Sequence, residues 1–84
     1  MTKLSTMKNI GKELERKLKI ININSSEDLI QVGSKETFLR LKMRFPEVCL
    51  VHLYALEGAI IDTEFNKLSE AAKKDLKDFS DEWK

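Results

Sequence analysis

The sequence predicts an all-α protein: one compact domain of five helices around a buried central helix. Three observations carry this expectation. Apolar residues recur at helical spacing, as Leu68, Ala72, Leu76, Phe79 and Trp83 do at steps of four, four, three and four. Gly and Pro are scarce, at 3 and 1, which disfavours turn-rich β folds. The one stretch with strand-like composition, residues 48–53, runs into Ala55–Ala59 and is too long for a single strand. At 84 residues the chain has room for one core only.

The elements follow in order. Gly11 opens a first helix over residues 12–19, whose Ile10, Leu14, Leu18 and Ile21 share one face. Residues 20–24, β-branched and Asn-rich, read as a short extended connector. Ser25 is the expected N-cap of a brief helix over 26–32. Asp28, three residues on, completes a short variant of the capping box. Gly33 suits the left-handed position after it. Ser34 is the expected cap of a third helix over 35–45, with Phe38, Leu41 and Phe45 on one stripe and Leu39 and Met43 beside it.

Pro46 should end that helix and open the next. Residues 47–61 are apolar on nearly every side, the pattern of a buried central helix. Asp62 and Thr63 begin a short turn or helical loop around Phe65. Ser69 then caps a last amphipathic helix over 70–83.

Composition excludes several classes. Hydrophobic residues make up 42% and charged residues 35%, enough for a core and too apolar for a disordered tail. A single cysteine, Cys49, permits no internal disulfide and no thiolate cage. Neither an export signal nor a membrane span is evident, which points to a cytoplasmic setting and no membrane partner. The net charge of +1 hides an asymmetry. Residues 1–45 carry ten Lys/Arg against five Asp/Glu, and residues 46–84 carry five against nine. Two solvated faces explain this, and so does a basic face for an acidic partner or nucleic acid.

Three blocks of sequence carry a resemblance. They are Met7-Lys8-Asn9-Ile10-Gly11 with Leu14, Glu15 and Leu18; Asp28-Leu29 leading to Gly33 and then Phe38-Leu39-Arg40-Leu41; and Leu53-Tyr54-Ala55-Leu56-Glu57-Gly58-Ala59-Ile60. Together they resemble the C-terminal domain of the TfoX/Sxy competence-regulator family, from about residue 4 to about residue 76. The resemblance implies an all-α fold related to helix-hairpin-helix (SAM-like) domains and a bacterial link to competence regulation. The full regulators carry a further N-terminal domain. Since this chain reads as the C-terminal domain alone, the competence role is not carried over.

Candidate sites are few. Asn9-Ile10-Gly11-Lys12 resembles the turn of a helix-hairpin-helix motif, where backbone amides and a helix N-terminus meet a DNA phosphate. Lys8, Asn9, Gly11 and Lys12 are the nucleic-acid candidates, against a turn that serves stability alone. Glu57 in an apolar helix needs a partner, and Arg40, Arg44 or backbone amides are the expected ones. Gly58 should permit a close helix crossing, and Tyr54 belongs to the same structural block. Leu76, Phe79 and Trp83 are candidates for a self-association surface, against folding back within one chain.

Cys49 and His52 supply two ligands where a structural zinc needs four, so Cys49 reads as a core residue beside a half-exposed histidine. No cofactor, metal or small-molecule substrate is expected, and no catalytic constellation stands out. The chain reads as a non-enzymatic binding module for an unidentified protein partner or a second copy, with DNA as the alternative.

Overall fold

The computed structural model describes residues 3–83. Its elements are a 3₁₀ turn, Leu4–Thr6; α1, Lys12–Ile20; α2, Ser26–Val32; α3, Ser34–Arg44; α4, Leu50–Ile60; a second 3₁₀ turn, Phe65–Lys67; and α5, Glu70–Glu82. The fold is all-helical, with no strand among the described residues. Helix α4 is central: α2, α3, α5 and the second 3₁₀ turn all pack on it. Leu53, Leu56 and Ala59 lie in the core with Leu4, Leu18, Ile23, Leu29, Phe38, Leu41, Val48 and Leu76.

Local signals set most boundaries. The Ser25 hydroxyl accepts from Asp28 N–H at 3.2 Å, and the Ser69 hydroxyl accepts from Ala72 N–H at 3.1 Å. The Asp28 carboxylate takes Asn24 N–H at 3.0 Å, one residue before the cap. Gly33 has φ of 90°, a conformation that side chains seldom adopt.

Four boundaries and pairings differ from expectation. The 20–24 connector is a helix-ending turn rather than an extended segment. Asn22 takes φ of 68° and Ile23 N–H reaches back to Leu18 O at 2.9 Å. Gly33, not Ser34, is the N-cap of α3, so Ser34 lies inside that helix with its hydroxyl free to bond elsewhere. Pro46 does not open α4. Val48 N–H closes a turn onto Phe45 O at 3.0 Å, Val48 is buried, and α4 begins at Leu50 with Cys49 as its N-cap. Cys49 is therefore exposed and not a core residue. Its N–H donates to His52 Nδ1 at 3.1 Å, with Sγ 3.6 Å from the same nitrogen.

Gly58 admits a loop and not a crossing helix. A Cβ there would collide with the Thr63 carbonyl oxygen and with Nδ2 of Asn9.

Candidate interaction groove

Helices α3 and α5 both rest on α4 and pack little on each other. The gap between them is an open groove in two neighbouring sections. One, of about 590 Å³, is lined by Ser34, Leu39, Glu57, Ile60, Leu76 and Phe79 among others. The other, of about 440 Å³, is lined by Glu36, Leu39, Arg40, Lys42, Met43 and Trp83. Glu36 and Leu39 line both, so the two sections adjoin along α3. The α3 wall is about 16 Å long, from its 11 residues at 1.5 Å each.

The walls are mostly apolar, and part of that surface is open. Met43 is 87% exposed and Trp83 53% exposed. The Trp83 ring meets Phe79 at a tilt of 47°, with centroids 6.3 Å apart. Across the mouth Lys35 pairs with Asp75 at 2.8 Å and stands 5.4 Å above the Phe79 ring. Both members of that ion pair are substantially exposed, so the bridge holds the helices together only weakly.

At the head of the groove Glu57 Oε1 accepts from Ser34 Oγ at 2.7 Å. The expected partners, Arg40 and Arg44, do not pair with it. Arg40 is exposed and pairs with Glu36 at 3.1 Å, one turn away on its own helix. The half-buried Glu57 carboxylate therefore has a neutral hydroxyl where an arginine or backbone amides were expected.

The remaining candidates fall elsewhere. Leu76 is buried within the chain and Phe79 is partly buried against the core, so of the expected self-association trio Trp83 is the one largely presented outward. The Tyr54 hydroxyl donates to Lys73 O at 3.4 Å, tying α4 to α5. In the N-terminal turn Lys8, Gly11 and Lys12 are exposed, and a Cβ on Gly11 would meet nothing within 4 Å. Asn9 has φ of 69°, as its position requires, but its side chain is spent internally. Nδ2 donates to Thr63 O at 2.9 Å and Oδ1 accepts from Phe65 N–H at 3.1 Å. The first turn of α1 already holds two carboxylates, Glu13 and Glu15. A single 3₁₀ turn, not a full helix, precedes this segment.

Groups with shifted pKa lie outside the groove. The Arg16 guanidinium holds the Glu13 carboxyl below the ordinary carboxylate range. Glu47 is held down too, first by a hydrogen bond from its own backbone and then by Lys17, 3.3 Å away. Among the described residues no group of three or more His, Cys, Asp or Glu could hold a metal ion. No helix among them is long and apolar enough to cross a membrane.

Residues 1–80 match the family model of the TfoX C-terminal domain. The chain belongs to that family. Two crystal structures share the fold of this TfoX C-terminal domain. An uncharacterized protein from Listeria monocytogenes, in a triclinic form, matches with a TM-score of 0.93 at 44% identity, over 95% of this chain and 91% of that one. A protein of unknown function from the same organism, in a tetragonal form, matches with a TM-score of 0.88 at 43% identity, over 90% and 93%. No curated protein matches this TfoX C-terminal domain.

Sequence reasoning missed Ser34, Lys35 and Asp75 as groove residues. The one signal available was Leu39 and Met43, four residues apart and off the main α3 stripe.

Proposed function

We propose that this TfoX C-terminal domain is a non-catalytic protein-interaction module and that the α3–α5 groove is its docking surface. One observation carries the reading: two helices that share α4 leave an apolar cleft between them, with Met43 and Trp83 held out at its edge. Large apolar side chains grouped on a surface are the usual mark of an interaction site. A photo-crosslinking amino acid at Met43, introduced into the protein in its native host, tests this. A protein adduct formed from Met43 and absent when the probe replaces Arg16 on α1 supports the groove. The same adducts from both positions would remove it.

A second reading has one observation in its favour. The approach to Gly11 is open and flanked by Lys8 and Lys12, which suits a DNA phosphate. Glu13 and Glu15 oppose it, because carboxylates in the first turn already satisfy the positive end of α1. A mobility shift on duplex DNA at low salt, abolished by Gly11→Glu with Lys12→Glu, would favour this reading. No shift at low salt would eliminate it.

A further inference from the structure

We infer that the occupant of the α3–α5 groove is an amphipathic helix of a partner protein that seats one basic side chain beside Glu57. The inference rests on the interaction reading above and adds the chemistry of the partner.

The argument starts from Glu57. A carboxylate partly withdrawn from water is stabilised by a nearby cation. Glu57 has only the Ser34 hydroxyl, at 2.7 Å, and forms no ion pair among the described residues. The amino end of α3 offsets part of the charge. The same section of groove holds two more carboxylates, Glu36 and Asp75, and Glu36 is already paired with Arg40 at 3.1 Å. Asp75 is paired with Lys35. Glu57 is thus the one carboxylate of this section without a cation among the described residues, and it stands over an apolar floor of Leu39, Ile60, Leu76 and Phe79. A lysine or arginine fits such a site in both parts. Its methylene stem covers apolar surface while its head meets the carboxylate.

The rest of the groove fixes the form of the partner. From Glu57 the apolar surface continues past Leu39 to Met43 and Trp83, along a wall about 16 Å long. That is three turns of helix, with apolar residues at i, i+3 or i+4, and i+7. The basic residue then sits at the Glu57 end of the stripe. The exposed Lys35–Asp75 pair at the mouth is weak enough to yield.

The test is selection from a random library of 12-residue helical peptides displayed on phage, panned against the whole protein. Binding of the synthesised winners is then measured by fluorescence anisotropy. The expected winners carry Lys or Arg one turn from an apolar stripe. Glu57→Gln, which keeps an acceptor for Ser34, should weaken them by roughly tenfold or more. Replacing the peptide's basic residue by Gln should weaken binding to the parent protein and have little further effect on Glu57→Gln. Winners that are lost with Met43→Glu plus Trp83→Glu but are indifferent to Glu57→Gln would overturn the cationic inference and leave the groove reading standing. Winners indifferent to both changes, or no winners, would overturn the groove reading itself. Sedimentation of the parent protein completes the test. A dimer dissolved by Met43→Glu plus Trp83→Glu would make a second copy the occupant and overturn the inference.

Discussion

Asn9 and the Thr63 carbonyl together fill the space that a side chain at Gly58 would need. Asn9 Nδ2 donates to Thr63 O at 2.9 Å and reaches Ala55 O at 3.4 Å, while its Oδ1 takes Phe65 N–H at 3.1 Å. Thr63 N–H in turn bonds Gly58 O at 2.7 Å. One side chain from the N-terminal segment thereby ties the end of α4 to the loop after it. This requires the open face of a glycine and the positive φ that asparagine tolerates.

The pair predicts a non-additive cycle. Gly58→Ala gains helix propensity but overpacks the contact, and should destabilise by about 1–3 kcal/mol. Asn9→Ala should cost about 1–3 kcal/mol by leaving half-buried backbone groups unpaired. The double variant should lose less than the sum, because alanine at 58 has already displaced Asn9. Urea denaturation of the four proteins measures this, and strict additivity would separate the two residues.

The same contact shows what the sequence reveals and what it withholds. The five helices were legible because stripes such as Leu14–Leu18 and caps such as Ser25 and Ser69 act within one or two turns. The start of α4 was not, because an apolar run does not reveal that Val48 closes a turn on Phe45. The partner of Glu57 was not legible either. Ser34 lies 23 residues away and meets it only once α3 docks on α4. The groove depends on the spacing of α3 and α5, a tertiary quantity that periodicity does not encode.

Thr37 carries an intrinsic defect. It is fully buried in α3, and its Oγ1 has no hydrogen-bond partner. A buried unpaired hydroxyl is destabilising by about 1–3 kcal/mol. Valine keeps the branched shape and removes the hydroxyl, so Thr37→Val should raise stability by about 1 kcal/mol. A lower urea midpoint for the variant would mean that the hydroxyl is satisfied in solution.

Cys49 caps α4 with an atom poorly suited to the task. Its thiol is a weak acceptor, whereas serine is among the preferred N-cap residues. Cys49 is exposed, so the change alters little packing. Cys49→Ser should therefore stabilise by about 0.5–1 kcal/mol. Thermal melts under reducing conditions compare the two proteins without interference from intermolecular disulfides.

The centre of α4 should respond far more strongly. Leu53 and Leu56 are both fully buried. Either leucine replaced by alanine should lose about 2–5 kcal/mol, the range for buried leucine truncations. Losses under about half a kcal/mol at both positions, smaller than any core truncation in that range, would mean that α4 is not the core.

The two aromatics at the end of α5 should separate structure from binding. Their rings are in tilted contact, but their surroundings differ. Phe79 packs against the core, lines the head of the groove and lies beneath Lys35. Trp83 follows the last turn of α5 and leaves half its surface to water beside Met43. Burial decides the size of each effect, since a side chain contributes through the area that it removes from water. Phe79→Ala should destabilise by about 3 kcal/mol, near the low end for buried aromatics because the ring is only partly covered. Trp83→Ala should cost about 1 kcal/mol, and Met43→Glu should stay within about 0.5 kcal/mol, as surface substitutions do. The fluorescence of Trp83, the only tryptophan, adds an independent readout. In the free protein its emission should be that of a half-solvated indole, and a ligand in the groove should shift it to shorter wavelength. A loss from Trp83→Ala as large as that from Phe79→Ala would show that Trp83 is a core residue, and the outer section of the groove would then be closed in solution.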